Sequence, residues 1–237
     1  TTSVQLSQNN FLGGGNRVSV EASRSSYLQR YGFSYTNPYF TDDGVSLGYN
    51  LSWRELDYSD FNTAQYNSTN GAAQVVFGVP ITENDTVSLM VGIDSNQITT
   101  YPGSTPQSII DYIDAIGTRT FHSWRTELGW ARDTRNDYFM PTRGTYQRVG
   151  LETTLPGSTV EYYKLNYQIS KYWPIIPSLV INTRAEVGYG DAYGNDVTRV
   201  IDNLDGTTRT VTASGLPFYE NFYAGGTNSV RGFEDNT

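Results

Sequence analysis

The sequence predicts an all-β fold, an antiparallel transmembrane β-barrel wall of about ten strands, on three observations. Apolar and polar residues alternate along the chain, short turn-rich connections take turns with long polar ones, and aromatic residues gather near strand ends. A period of two puts successive side chains on opposite faces, so each run carries one apolar and one polar face.

The alternating runs centre near residues 5, 20, 32, 50, 75, 90, 127, 149, 167 and 184. The clearest sets Val45, Leu47, Tyr49, Leu51 and Trp53 against Ser46, Gly48, Asn50, Ser52 and Arg54. Val87, Leu89, Val91 and Ile93 oppose Ser88, Met90, Gly92 and Asp94. Tyr163, Leu165, Tyr167 and Ile169 oppose Lys164, Asn166, Gln168 and Ser170, and Ile181 to Tyr189 repeats the pattern against Asn182 to Gly188. Strand and turn recur roughly every 24 residues, longer than the spacing of about 8–12 found in a sandwich. Apolar faces of about nine to eleven residues match tilted strands crossing a bilayer.

Short connections carry Gly13-Gly14-Gly15, Asp42-Asp43-Gly44, Glu83-Asn84-Asp85, Thr142-Arg143-Gly144 and Trp173-Pro174-Ile175-Ile176-Pro177. Between them lie polar segments at 58–69, 96–122 and 192–237. Short loops at one end and long ones at the other is the organisation of outer-membrane barrels. Within the second long segment, Ser108 to Ile116 is apolar at helical spacing and is followed by Gly117, which predicts a short helix covering the barrel mouth.

A soluble antiparallel sheet with one wet face also alternates. Three features favour the membrane. Tyr35, Tyr39 and Phe40, Trp53 and Tyr58, Trp124 and Trp130, Tyr138 and Phe139, and Tyr172 and Trp173 sit where strands reach the headgroups, which suits rings with a polar tip. Charges within strands (Arg125, Glu127, Lys164, Arg184, Glu186) fall opposite the apolar face. Little helix remains to cover a second sheet face. Ten strands either close on themselves or form part of a larger barrel, because unpaired backbone in hydrocarbon costs several kcal/mol per group. The abrupt ends favour a larger barrel.

Composition removes other classes. The 237 residues hold 16 basic and 24 acidic side chains, a net charge of −8, with no cysteine and one histidine. That excludes disulfides, thiolate chemistry and any site needing two imidazoles, and no nucleic-acid partner is expected without a basic stripe. No apolar run approaches the roughly 18 residues of a spanning helix. Gly13-Gly14-Gly15 and Gly225-Gly226 lack the lysine and Ser/Thr sequel of a phosphate loop and read as tight turns, no calcium-loop spacing appears, and no cofactor or metal is expected. His122 and Ser123 suggest a membrane hydrolase, but neighbours in a strand face opposite ways and could not meet as base and nucleophile. Turn chemistry explains Asp42-Asp43 and Asp133 with Asp137.

The last segment reads Leu216-Pro-Phe-Tyr-Glu-Asn-Phe-Tyr-Ala-Gly-Gly-Thr-Asn-Ser-Val-Arg-Gly-Phe233. It resembles the loop of the BamA family, the barrel subunits of the bacterial outer-membrane β-barrel assembly machine. Val230, Arg231, Gly232 and Phe233 look like the hallmark of the wider superfamily, which includes polypeptide-secretion transporters. Phe222, Tyr223, Gly225 and Gly226 belong to the stretch closer to BamA. Further matches are Thr36 to Thr41, Asp43 to Leu47, Tyr138 to Gly144, Leu155 to Ser158 and Glu161 to Lys164.

The resemblance implies a partial barrel over 1–237, strands two to eleven of sixteen, with 192–237 the long extracellular loop. It implies a non-enzymatic factor of the bacterial cell outer membrane that folds and inserts other barrels, templating strands at a weak seam and thinning the bilayer. Implied partners are outer-membrane lipids and lipopolysaccharide, nascent β-barrel substrates, and accessory lipoproteins bound through periplasmic domains outside these residues. Alternatives are a secretion translocator of the same superfamily and an outer-membrane hydrolase. In the loop, Arg231 is a permanently charged fork suited to inward carboxylates, Gly232 permits a tight turn and Phe233 anchors. The resemblance places those acids on strands outside this chain; Glu127, Glu152 and Glu186 are the inward acids within it.

Overall fold

The computed structural model describes residues 2–57, 66–176, 178–202 and 206–222. Ten strands follow one another in one antiparallel sheet: β1 (Thr2–Phe11), β2 (Asn16–Arg24), β3 (Leu28–Asn37), β4 (Ser46–Asp57), β5 (Tyr66–Pro80), β6 (Asp85–Thr100), β7 (Thr120–Asp133), β8 (Gly144–Thr154), β9 (Tyr162–Ile176) and β10 (Leu179–Ala192). Each pairs only with its neighbours in sequence, and among the described residues β1 and β10 do not meet. All ten predicted strands are present.

The ladders fix which side chains share a face. Arg54↔Asn70↔Asn96↔Phe121 is one continuous row, and Gly92↔Arg125↔Thr154 is another. Stepping by two along each strand puts Glu127, Glu152, Lys164 and Glu186 on this inner side. The opposite face carries Leu51, Leu89, Val91, Ile93, Trp124, Leu128, Leu165, Val187 and Tyr189, all exposed. Tyr49 and Leu51 are uncovered, and Leu47 is buried between its lateral partners Asn37 and Phe77. An apolar surface of this extent, with charges turned inward, is stable against acyl chains and not against water.

Two local corrections follow. The segment at 96–122 is shorter as a loop, because β6 continues to Thr100 and β7 starts at Thr120. Their polar ends stay hydrogen-bonded beyond the apolar band. Residues 192–237 also contain structure not predicted: an antiparallel hairpin, β11 (Val197–Asp202) with β12 (Thr208–Ala213).

The predicted helix is α1 (Gln107–Ile116). Gly117 ends it in the left-handed region at φ 81° and donates its N–H to the Ile113 carbonyl at 2.8 Å, a turn that glycine adopts without strain. Ile109, Tyr112, Ile113 and Ala115 pack with Val211 and Ala213 of β12 and with Tyr66, Ile98 and Phe121 from the wall. Arg209 of the hairpin pairs with Asp111 at 2.8 Å and Asp114 at 2.9 Å. Helix and hairpin therefore form a cap seated on the inner face at one end of β5–β7. Burial raises the Tyr112 phenol well above its ordinary range.

Candidate functional site: an ion cluster that holds the returning loop

Beyond the hairpin, the chain turns back along the inner wall. Pro217 precedes a short 3-10 turn, Phe218–Glu220. Phe218 meets Tyr66 edge-on at 5.5 Å and Tyr112 at 5.7 Å between ring centres. Tyr219 lies 5.1 Å from Phe121. These aromatic contacts bury the turn against cap and wall together. Burial also holds the Tyr219 phenol protonated far above its usual range.

Glu220 is thereby aimed at two cations. Its Oε1 accepts from Arg125 Nη2 at 2.9 Å and its Oε2 from Lys164 Nζ at 2.9 Å. Arg125 also contacts Glu152 at 3.6 Å and faces Asp94 at 3.3 Å, the latter without hydrogen-bond geometry. Its Nη2 donates to the Tyr162 hydroxyl, which donates to Glu152, each at 3.1 Å. Three carboxylates thus surround two cations from β7 and β9, and none of the five side chains is more than 19% exposed. Shielding from water makes each pairing stronger than at a surface, and makes the loss of one partner costly.

Phe222 completes the seat. Its ring lies 5.1 Å from Lys164 Nζ and rests on Gly188, where an added Cβ would fall 2.5 Å from the ring. Only a residue without a side chain leaves this space. Of the predicted loop residues, Phe222 is placed in contact with the wall. Tyr223, Gly225, Gly226, Val230, Arg231, Gly232 and Phe233 lie outside the described residues.

The inward carboxylates fare differently. Glu152 joins the cluster, Glu127 pairs with Arg148 at 3.1 Å, and Glu186 stands 4.0 Å from Arg184 in an exposed contact. Glu220 and Asp94 were not singled out from sequence; their place depends on ladder register and loop path. His122 is exposed on the outer face while Ser123 is buried on the inner one, so the pair has no shared site. Asp137 accepts from the N–H groups of Phe139 and Met140, both at 2.8 Å, which holds its carboxyl below the ordinary range and confirms a turn role.

An apolar outer face, an ion-lined interior and a loop latched within define an integral β-barrel of the outer membrane. The chain belongs to the Omp85 superfamily, whose domain matches residues 10–237. It is 32% identical over 99% of its length to "Outer membrane protein assembly factor BamA" of Neisseria meningitidis serogroup B. A protein of the same name from Nitratidesulfovibrio vulgaris is 22% identical over 96% of the chain. The fold superposes, at a TM-score of 0.81 and 26% identity over 99% of the chain, on a crystal structure of BamA from Haemophilus ducreyi lacking POTRA domains 1–3. The chain spans 28% and 26% of the two curated relatives and 43% of that solved chain.

Proposed function

We propose that this chain is the lipid-facing and loop-holding part of an outer-membrane assembly factor that folds β-barrel proteins and inserts them into the bilayer. The relatives' names point to that activity, and one structural observation carries it. The outward apolar band narrows toward β1. On β10 it runs from Ile181 to Tyr189, with Thr183 the one polar residue within it and hydrogen-bonded to Trp173, about 27 Å along the strand at ~3.4 Å per residue. On β1 the unbroken stretch is Val4 and Leu6, about 7 Å, flanked by Thr2 and Gln8 on the same face, before a bulge returns Phe11 to that face opposite Asn16. The paired face of β2 is similarly short, Val18 to Ala22, with Arg24 beyond it.

A bilayer meeting a short apolar band thins to match it. Thin, strained lipid lowers the barrier for an incoming strand, and a nearby free sheet edge offers backbone donors and acceptors as a template. The reading is non-enzymatic: nothing is bonded or cleaved, and the work is done by edge pairing and lipid deformation. Nascent barrels are the substrates, outer-membrane lipids and lipopolysaccharide the surroundings, and accessory lipoproteins reach the protein through its periplasmic domains.

Substituting Thr2→Leu and Gln8→Leu in the full-length protein extends the band on β1 by about 14 Å at ~3.4 Å per residue. The expected result is a several-fold slower insertion of an unfolded barrel substrate into vesicles containing the variant, with the variant itself folded. An unchanged rate would remove bilayer thinning beside β1 from the mechanism. Arg231→Ala tests the loop motif in the same assay; a several-fold loss is expected if the guanidinium holds the loop, and full activity would take Arg231 out of it.

A further inference from the structure

At the short-turn end of the wall the outward face carries two cations, Arg132 on β7 and Lys171 on β9. The ladders set Arg132 beside Gln147 of β8, and Gln147 beside Ile169 of β9. Lys171 lies two residues further along β9, opposite Thr145. Two strand spacings of ~4.8 Å and two rises of ~3.4 Å put the cations' Cα atoms about 12 Å apart. Side chains of this length close on one group between them. Strand tilt also makes them level. Cross-strand rows run at right angles to strands tilted by about 35–45°, so every row changes depth as it crosses the wall. The row Leu128↔Leu151↔Leu165↔Tyr189 gives the direction: it lies near the short-turn end of β7 and far from that end of β10. Two strands along from Arg132, the same depth is therefore reached beyond Ile169, at Lys171.

We propose that Arg132 and Lys171 together hold the phosphate of an anionic phospholipid in the periplasmic leaflet. Among the described residues no carboxylate lies within ion-pair distance of Lys171, whose Nζ stands 3.8 Å from the centre of the Trp173 ring. A lysine on a lipid-facing strand without a counter-ion in the protein is stable where the lipid supplies the anion. The contact of Arg132 with Asp85 is long, at 4.0 Å, and the arginine side chain is 49% exposed. Asp85 is engaged elsewhere, accepting from the Thr82 hydroxyl at 2.7 Å. Two cations and this one acid leave a single positive charge, which one phosphodiester balances. Between the cations Thr145 adds a hydroxyl. Gln147 accepts from the Tyr167 hydroxyl at 3.2 Å through its carbonyl, which keeps its amide N–H groups as donors. Trp130 and Trp173 bracket the pair along their strands, at the depth where indole rings meet headgroups. A zwitterionic head would bring an ammonium that both cations repel, whereas a negatively charged head with a neutral polar end would not. Asp42, Asp43 and Glu83 make the neighbouring short turns acidic, so the preference is confined to β7–β9.

The test uses single-tryptophan forms of the full-length protein in phosphatidylcholine vesicles, retaining Trp173 or, as reference at the long-loop end, Trp124. Quenching by added brominated phosphatidylglycerol is compared with quenching by added brominated phosphatidylcholine, and the ratio gives the lipid preference at that ring. Taking the ratio within each variant removes any direct effect of Lys171 on the indole. Phosphatidylglycerol is expected to be preferred about fivefold at Trp173, the scale of one basic side chain at an anionic surface. No preference is expected at Trp124. Lys171→Gln and Arg132→Gln should each reduce the ratio, the double variant should abolish it, and Lys171→Arg should keep it. Heat-shifted gel mobility shows that each variant is folded. A preference that survives in the double variant, or is equal at both tryptophans, would overturn the site. Quenching at Trp173 that favours phosphatidylcholine, or neither lipid, would overturn the choice of head.

Discussion

Replacing Arg125 by methionine is expected to release the returning loop and to destabilise the barrel by about 3–5 kcal/mol, the range for stripping one partner from a buried ion pair. The substitution leaves Asp94, Glu152 and Glu220 with Lys164 as their remaining cation in the cluster. The check is urea unfolding in vesicles together with limited trypsin cleavage at Arg209, a site protected while the hairpin pairs with Asp111 and Asp114. Faster cleavage and a lower unfolding midpoint are expected. Glu220→Gln should do the same more weakly, because the loop keeps its shape and loses its charge. Arg132→Met is the control: its pair with Asp85 is long, at 4.0 Å, and half exposed on the arginine side, so its cost stays below about 1 kcal/mol. An Arg125→Met protein that unfolds and digests like the parent would show that the cluster does not hold the loop. Adding Asp94→Asn to Arg125→Met should recover part of the loss by removing an unpaired acid.

A charge placed on the outer face is expected to have the next largest effect. Val91 sits in the middle of its outward row and is exposed. Val91→Arg should cost about 2–4 kcal/mol, the value for arginine at the mid-plane of a lipid-facing barrel surface. Ser52→Arg, one face away and open to the interior, should cost within about 0.5 kcal/mol as an ordinary exposed substitution. Equilibrium unfolding in lipid vesicles separates the two. Equal costs on both faces would contradict the assignment of the apolar face to the bilayer.

The strands were legible because a period of two survives even where mean hydropathy is low: Val87 to Ile93 and Tyr163 to Ile169 each announce a face without reference to any partner. The hairpin β11–β12 was not read. Val197 to Asp202 and Thr208 to Ala213 alternate only weakly, since their inner contacts are shared with the cap and Thr, Arg and Asp occupy many of their positions. The Asp205-Gly206 dipeptide between them was the available turn signal. Parity predicted that Arg125, Lys164 and Glu152 face inward, yet which of them touch depends on register. Lys164 stands opposite Glu152, whereas Arg125 reaches Glu152 only across a diagonal, Thr154 being its direct partner. Glu220 belongs to a loop, and a loop's path is set by what it docks on. Its own residues hold no periodic trace of that surface.

The neighbour-to-neighbour order of the ten strands also bears on how the chain acquires its shape. Every ladder joins segments consecutive in sequence, so pairing can proceed one hairpin at a time, each closure costing little chain entropy. The bond between Arg125 and Glu220 spans 95 positions and needs β7, β9 and the cap already in place. Zippering therefore comes early and latching late. A wall caught between those two events would be fully hydrogen-bonded laterally while its interior still stood open to water.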